Sequence, residues 1–229
     1  MNIDKYTQQE KLLVAVDCII FGFDKKELKA LLIKRDFDPE KGKWSLMGGF
    51  LDQDESADEA AQRVLKQLTG LTNIYMEQLY CFSDVNRDTA GRVISIAYFA
   101  LINIADYNDK IEMDHEAQWF SFTKMKELIF DHNRMVITAK ERLQQKASHY
   151  PIGFELLPLK FTLPQLQDLY EAIYEKPLDK RNFTRKILSL GILNKLDEKE
   201  KGSSRKGAFY YVFDKRRYKE LQHEGLKFL

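Results

Sequence analysis

The sequence predicts an α/β (α+β) sandwich over residues 1–150, followed by a winged helix-turn-helix domain over residues 151–229. Short β-rich runs alternate with helical segments in the first part, and the second part has the order helix, turn, helix and β-hairpin. Between them, the segment Ser148–Pro151 interrupts a helical pattern. A chain of 229 residues with 44% hydrophobic residues can bury a core in each of two small domains.

The first part is predicted to consist of strands with interleaved helices. Two β-rich runs, at residues 12–21 and 28–34, flank the polar turn Asp24–Glu27 and predict a hairpin. Apolar residues then recur at helical spacing up to the stop signal Gly70. The remaining strands are predicted at residues 74–82, 93–104 and 117–120. Helices are predicted at residues 58–68, 123–129 and 131–146.

Both helices of the second part have a clear start signal. Thr162 is a preferred N-cap residue and Pro164 stands in the first turn that follows it. Asp179 can cap a second helix that runs to Leu190. A two-stranded wing is then predicted, with strands at residues 192–196 and 208–213 and a tip at residues 197–207.

Positive charge is concentrated in the second part. Residues 151–229 hold 16 Lys and Arg against 11 Asp and Glu, whereas residues 1–150 hold 20 against 24. The window 176–219 holds 14 basic residues and 5 acidic ones. Such a field attracts phosphate backbones, although a solvated charged face would give the same count.

The polar face of the second helix and the wing are the predicted DNA-binding surface. The residue types on this face are those that contact base edges and phosphates in a major groove. A winged helix can also serve only for protein contacts, so the fold alone leaves both possibilities open. The predicted DNA-binding residues are Lys180, Arg181, Asn182, Thr184, Arg185, Ser189, Lys199, Lys201, Arg205 and Lys206.

The most specific motif surrounds the first helix. Gly49, Glu55, Arg63, Gly70 and Leu71 follow one another at the spacing of the Nudix box, G-x5-E-x7-R-E-U-x-E-E-x-G-U, in which U is a bulky aliphatic residue. The preceding segment 43–50 is similar to the W-x-L-P-G-G-F approach to that box. The resemblance covers residues 10–147 and implies a Nudix-like fold.

The three metal-binding glutamates of this family fall here on Val64, Gln67 and Leu68. Magnesium and manganese prefer anionic oxygen ligands, which valine and leucine cannot supply. We therefore expect no bound metal, no cofactor, no catalytic residues and no enzymatic activity. The alternative is a Nudix hydrolase of ADP-ribose or a nucleotide sugar that uses atypical metal ligands, such as Glu55 with Asp52 or Asp54.

A second resemblance covers the basic part. The strings Leu178–Phe183 and Arg185–Leu188, beside a degenerate Nudix box, are similar to the Nudix-related transcriptional regulators, which include the NAD-metabolism repressors. This resemblance implies a homodimeric, ligand-responsive repressor of a metabolic operon that binds a palindromic operator in double-stranded DNA. The implied effector is ADP-ribose or another nucleotide sugar, or a sugar-pathway metabolite. A module that binds an acidic protein instead of DNA is a further alternative.

The predicted effector cleft surrounds the Nudix box. Glu55 and Arg63 are also expected to pair and so fix the loop on the helix, and Trp44 is either a core residue or a wall of the cleft. The helix at residues 131–146 leads into the junction between the domains, so we expect it to carry a ligand-dependent shift. The predicted effector-binding residues are Arg35, Trp44, Gly49, Phe50, Glu55 and Arg63.

Cellular location is inferred from what the sequence lacks. No apolar run approaches the ~20 residues that span a bilayer, and the first eleven residues are polar. We therefore expect a cytoplasmic protein with no membrane contact. Cys18 and Cys81 lie in apolar runs without a nearby partner, so both are expected to be buried reduced thiols.

Overall fold

The computed structural model of the chain describes residues 7–72, 74, 76–107, 117–152, 155–200 and 207–224. These residues form an amino-terminal and a carboxy-terminal part, which contribute to one continuous hydrophobic cluster. Within the described residues, no helix is long and apolar enough to cross a membrane.

A seven-stranded sheet forms the centre of the amino-terminal part. Its strands are β1 (Leu13–Phe23), β2 (Leu28–Lys34), β3 (Trp44–Ser45), β4 (Met47–Phe50), β5 (Met76–Phe82), β6 (Val93–Asn103) and β7 (Gln118–Ser121). The main order is β3-β2-β1-β6-β5, with β4 paired to β1 and β7 paired to β2. β1 and β2 form the predicted hairpin, and β5 and β6 are antiparallel. β1 also runs parallel to β6 along its whole length, a pairing that the sequence analysis did not predict.

Helices cover both faces of this sheet. They are α1 (Ala57–Thr69), the short α2 (Ile104–Tyr107) and α3 (His132–His149). α1 packs against the face of β1 that carries Val16 and Cys18. α3 packs against the opposite face, which carries Ile19 and Phe21. Because side chains alternate along a strand, β1 is buried on both sides, and the predicted α/β sandwich is confirmed.

The ends of α1 agree with the signals in its sequence. The Ser56 hydroxyl accepts a hydrogen bond from the backbone N–H of Glu59, whose carboxylate accepts one from the N–H of Ser56. Gly70 ends the helix with a φ of 71°, in the left-handed region that glycine adopts most easily. The predicted helix at residues 58–68 is confirmed.

The predicted helix at residues 123–129 is wrong. Only a 3-10 turn forms there, at Phe122–Lys124. The backbone N–H of Leu128 donates to the side chain of Asn133 at 2.8 Å, and that of Ile129 donates to the carbonyl of Trp44 at 3.1 Å. These groups bond to a side chain five residues on and to a carbonyl of β3 instead of to the i−4 carbonyls of a helix, although Leu128 and Ile129 are buried as the apolar pattern suggested.

Both cysteines are free thiols, but only Cys18 is buried. Burial raises the pKa of the Cys18 thiol far above its usual range. Cys81 is exposed, so the prediction of two buried thiols is wrong for this residue. It lies on β5 at the edge of the sheet, next to an irregularity in the pairing between Gln78 and Tyr80.

The carboxy-terminal part has the predicted order of a winged helix-turn-helix. Its elements are β8 (Phe161–Thr162), α4 (Leu163–Tyr174), α5 (Lys180–Ser189), β9 (Leu193–Glu200), β10 (Ala208–Phe213) and α6 (Lys215–Glu224). Thr162 and Gln165 cap α4 reciprocally, and the Asp179 carboxylate caps α5 by accepting from the N–H of Asn182 at 2.8 Å. β10 lies between β8 and β9.

Two features of this part differ from the predictions. β9 continues to Glu200, where it pairs with Ala208, so the predicted wing strand ended too early and the predicted tip was too long. The charged run at residues 197–200 has the composition of a loop. It can form a strand because this two-stranded ribbon is exposed to solvent, so the charged side chains of the run remain in water. The helix α6 was not predicted.

The two parts are joined along α3 and α4. The Lys140 ammonium lies 2.6 Å from the Glu175 carboxylate, and the Gln144 amide donates to the carbonyl of Ile173 at 2.8 Å. At the start of the second part, the N–H of Ile152 donates to the hydroxyl of the fully buried Tyr170 at 2.8 Å. An ion pair, hydrogen bonds and the shared hydrophobic cluster therefore connect α3, at the end of the sandwich, to α4, the first helix of the winged domain.

Candidate functional site: a cleft on the sheet and a basic helix

A cleft opens on the sheet beside the amino-terminal end of α3. Its interior has a volume of about 90 Å³. Residues of β1, β2 and β4 form one side of it, and the segments before β6 and before α3 form the other. Its lining includes Ala15, Asp17, Arg35, Phe37, Gly48, Gly49, Phe50, Leu68, Arg87, Asp88, Phe130 and His132.

The floor of the cleft carries a buried charge network. Arg87 binds Asp131 through two parallel hydrogen bonds, of 3.1 Å from Nε and 2.8 Å from Nη2. Asp17 accepts a hydrogen bond of 2.5 Å from the Ser95 hydroxyl. Its carboxylate also lies 3.7 Å from Arg87 Nη2 and 3.6 Å from His132 Nε2. Buried charges persist only when they are paired in this way, so the network fixes the loop before β6 to the start of α3.

His132 is neutral in this network. The backbone N–H of Leu46 donates to His132 Nδ1 at 3.2 Å, so the remaining ring proton lies on Nε2, facing Asp17. Burial lowers the pKa of the His132 imidazole. The floor presents two carboxylates, those of Asp17 and Asp131, against one guanidinium, that of Arg87. It therefore favours hydrogen-bond donors over anions.

Aromatic rings and one guanidinium form the mouth of the cleft. The Arg35 guanidinium lies 3.7 Å from the centre of the Phe37 ring and 5.4 Å from that of Phe130. Arg35 Nε donates to the carbonyl of Phe37 at 3.1 Å. The side chains of Phe37 and Phe50 are about half exposed. Exposed rings beside a fixed cation offer a stacking surface for a planar group and a contact for an anionic one.

The preserved residues of the Nudix box hold the loop between β4 and α1. Arg63 binds the Glu55 carboxylate through two nitrogens, with Nε at 2.9 Å, as the sequence analysis predicted. Arg63 Nη2 also donates to the carbonyl of Phe50 at 2.9 Å. The Arg63 guanidinium lowers the pKa of Glu55 to about 2, so this carboxylate stays ionised and committed to the pair.

The three positions of the metal-binding glutamates do not fit a magnesium or manganese ion. Val64 is buried and packs so closely on Gly49 that a Cβ at that glycine would lie 2.7 Å from a Val64 methyl group. The Gln67 amide oxygen accepts from Arg63 Nη1 at 3.4 Å. Leu68 contributes an apolar surface to the cleft. Packing and an amide hydrogen bond thus occupy the positions where the family places its ligands.

The predicted effector-binding residues fall into three groups. Arg35, Gly49 and Phe50 line the cleft. Glu55 and Arg63 stand behind Phe50 and shape the loop that carries it. Trp44 lies outside the cleft lining, because its ring packs on Phe120 with 4.7 Å between ring centres. The role of the whole set in effector binding stays a prediction.

The residues of the floor were missed by the sequence analysis. Asp17, Arg87 and His132 are 45 to 115 residues apart in the chain and meet only in the folded sheet. One signal was available, because Asp17 is a charged residue in the middle of the apolar run Leu13–Phe23. A charge at such a position is buried and needs a partner.

α5 presents the predicted DNA-binding face to solvent. Phe183 and Ile187 pack into the core, and Thr184 is half-buried. The Arg185 guanidinium donates to the side-chain oxygen of Asn182 at 2.7 Å, and the Ser189 hydroxyl donates to the carbonyl of Lys186. The exposed residues of this face are Lys180, Arg181, Asn182, Arg185 and Ser189.

The predicted wing residues are only partly covered by the structure. Lys199 is exposed on β9. Lys201, Arg205 and Lys206 lie outside the described residues.

Family profiles match both parts of the chain. That of the Nudix domain matches residues 11–139. That of the NrtR DNA-binding winged helix domain matches residues 153–213. The chain belongs to the NrtR family. The combination of a Nudix-like fold with an NrtR winged helix confirms the resemblance that the sequence analysis identified.

Two similar proteins span most of the chain. The ADPR responsive transcriptional repressor NtrR of Acinetobacter baylyi is 33% identical over 202 residues, which cover 86% of this chain and 81% of that protein. NrtR of Shewanella oneidensis, in a crystal structure with a 27mer DNA, is 30% identical with a TM-score of 0.81. That comparison covers 90% of this chain and 95% of the Shewanella chain.

Other similarities are confined to the Nudix-like part. The Nudix domain of Shewanella oneidensis NrtR, in a crystal structure with ADP ribose, is 28% identical with a TM-score of 0.54, covering 62% of this chain and 99% of that one. The ADP-ribose pyrophosphatase of Methanocaldococcus jannaschii is 35% identical over 136 residues, 59% of this chain and 77% of that protein. The Nudix-like part therefore resembles both a regulator domain and an enzyme.

Proposed function

We propose that the chain is a ligand-responsive transcriptional repressor, with an effector domain at residues 1–150 and an operator-binding domain at residues 151–229. One observation carries the proposal: a Nudix cleft without metal-binding glutamates is joined through a shared core to a winged helix with a basic exposed face. A cleft that lacks the metal ligands needed for hydrolysis can still bind a small molecule. The attached winged helix allows that binding to change the affinity for DNA.

The effector is ADP-ribose, another nucleotide sugar or a sugar-pathway metabolite. The rings of Phe37 and Phe50 suit stacking, and Asp17 on the floor suits the hydroxyl groups of a sugar. A diphosphate would depend on Arg35 for charge compensation, since Val64, Gln67 and Leu68 stand where the family places its metal ligands. The thermal unfolding of the full chain should be compared with ADP-ribose, AMP and free sugars present. We expect stabilisation by at least one of them that is independent of magnesium.

The absence of hydrolysis is a direct test of the non-enzymatic assignment. With Val64, Gln67 and Leu68 at the ligand positions, the chain is expected to turn over ADP-ribose at no more than trace rates with magnesium or manganese. The Methanocaldococcus pyrophosphatase serves as the positive control. Its similarity to this chain favours the second candidate function, hydrolysis with atypical ligands. Robust turnover that disappears in Glu55→Gln would establish that alternative.

The assembly on DNA is a homodimer on a palindromic operator. A dimer places its two recognition helices about one turn of DNA apart, roughly 34 Å, so that each reads one half-site. Sedimentation of the chain with an operator duplex is expected to show two protomers per duplex. One protomer per duplex would contradict the dimer.

Specific DNA recognition is assigned to α5. Arg181→Ala or Arg185→Ala is expected to weaken operator binding by ~1–3 kcal/mol and to relax base preference at one position, because each guanidinium can bind a guanine edge. Lys199→Ala on the wing is the matched control, with an effect that is similar for all sequences. If neither arginine variant changes the affinity of a duplex that the wild type binds, α5 is not the recognition helix.

A further inference from the structure

Phe130 has a backbone conformation that large side chains rarely adopt. Its φ is 51°, in the left-handed region, where the Cβ atom crowds the following carbonyl oxygen. The other described residues with a positive φ that are not glycine all have polar side chains, and they are Lys25, Glu40 and Glu175. Among the described residues, Phe130 is therefore the only large apolar one with this conformation.

Hydrogen bonds fix the residues on both sides of Phe130. Before it, the N–H of the buried Ile129 donates to the carbonyl of Trp44 at 3.1 Å. After it, the Asp131 carboxylate accepts two hydrogen bonds from Arg87. The chain must therefore change direction at residue 130, between its contact with β3 and the floor of the cleft. A strained conformation persists only where the surrounding structure imposes it in this way.

This conformation places the Phe130 ring between the mouth and the floor of the cleft. The centre of the ring lies 5.4 Å from the Arg35 guanidinium and 5.7 Å from the centre of the His132 ring, with an angle of 77° between the ring planes. A cation near a ring and an edge-to-face ring pair are both attractive. The ring is half-buried and lines the cleft. These contacts compensate for the backbone strain, so the loss of either one weakens that compensation.

α3 begins directly after this strained position. His132 is its first residue, and the N–H of His132 donates to the carbonyl of Ile129 at 3.1 Å, across Phe130. Further along, α3 contacts the end of α4 through Lys140 and Gln144. A change of φ at residue 130 would therefore change the direction in which α3 leaves the cleft.

We propose that Phe130 is the residue that couples occupancy of the cleft to the position of α3. In the unliganded chain, the contacts of its ring with Arg35 and His132 hold the strained backbone. A ligand that binds the Arg35 guanidinium or displaces the ring removes these contacts, so residue 130 relaxes and the start of α3 moves. The relaxation offsets part of the free-energy cost of moving α3, so a smaller difference in ligand affinity between the two states is sufficient. The inference rests on the proposed function and assigns the regulation of that site to one residue.

The first measurement tests the strain and needs no ligand. Phe130→Ala and Phe130→Gly both remove the ring, but only glycine adopts a positive φ without steric cost. In urea denaturation of the full chain, Phe130→Gly is therefore expected to have a higher midpoint than Phe130→Ala. Tyr80, an exposed ring on β5 outside the cleft, gives the control pair. Tyr80→Gly is expected to have a lower midpoint than Tyr80→Ala, because glycine weakens a strand. A midpoint for Phe130→Gly at or below that of Phe130→Ala would show that residue 130 is not strained.

The second measurement tests the effect on DNA binding. Affinity without ligand is measured by fluorescence anisotropy for a duplex that the wild type selects from a random-sequence pool. Phe130→Ala is expected to weaken binding by about fivefold or more, because the strain remains without the ring that holds it. Phe130→Gly is expected to stay within about twofold of the wild type, because the strain is removed together with the ring. Tyr80→Ala is the control, with wild-type affinity.

Two results would overturn the coupling role. One is wild-type affinity in Phe130→Ala, and the other is an equal loss of affinity in Phe130→Ala and Phe130→Gly. If the wild type selects no duplex from the pool, the proposed function fails and the coupling role fails with it. The urea comparison would then still show whether residue 130 is strained, so the two failures are distinguishable.

Discussion

Replacing Arg87 by methionine is expected to lower the free energy of unfolding by ~3–5 kcal/mol, the usual effect of removing one partner from a buried ion pair. Arg87 is 7% exposed and supplies both hydrogen bonds to Asp131, and its guanidinium also faces Asp17. Without it, two carboxylates remain inside the protein with little positive charge near them. Urea denaturation of the full chain measures the loss.

The matched control is Arg134→Met. Arg134 pairs with Asp84 at the surface, where both side chains are mostly exposed, so its loss is expected to cost only ~0–1 kcal/mol. Adding Asp131→Asn to the Arg87 variant should recover part of the stability, because it removes one of the unpaired charges. Equal stabilities for the Arg87 and Arg134 variants would show that the floor network is not a buried ion-pair system.

Elements that are defined by residues close together in the chain could be predicted from the sequence. Local signals were sufficient for α1, where an apolar stripe is followed directly by the stop signal Gly70. They were equally sufficient for α4 and α5, whose N-cap residues are Thr162 and Asp179 as predicted. In each case the interactions that define the element are close in the chain.

Features that depend on distant contacts were not predicted. β1 and β6 pair in parallel with 80 residues between partners, and nothing in either strand identifies the other. The floor network depends on the same long-range pairing, because Ser95 and Asp17 meet only when β1 and β6 align. The segment 123–129 shows the converse: its apolar residues have helical spacing, but the backbone N–H of Ile129 donates to the distant carbonyl of Trp44 and that of Leu128 to the Asn133 side chain.

The interface between α3 and α4 is expected to control the coupling between effector and DNA. α3 begins at the cleft floor with His132 and contacts the end of α4 through Lys140 and Gln144. That end of α4 is followed by the turn into α5. In the wild type, the ligand is expected to change DNA affinity roughly 5- to 150-fold. The double variant Lys140→Gln with Gln144→Leu is expected to reduce this change to less than about twofold. The effector and the DNA should each still bind to this double variant.

A lysine on the same helix provides the control for this prediction. Lys146 pairs with Glu77 inside the sandwich and not with α4, so Lys146→Gln is expected to keep the wild-type coupling. Effector affinity is measured by calorimetry and DNA affinity by anisotropy, with and without the other partner. Retention of full coupling in the Lys140 and Gln144 double variant would show that the signal takes another route.

Under the proposed function, one chain binds a small ligand in its cleft and DNA on its basic helix, and each event changes the other. The most direct test titrates the affinity of the full chain for an operator duplex against ADP-ribose, and against any sugar that stabilises the protein. Linkage requires that saturating ligand change operator affinity by the same factor, roughly 5- to 150-fold, by which the operator changes ligand affinity. A ligand that saturates the cleft and leaves operator affinity unchanged would contradict the account.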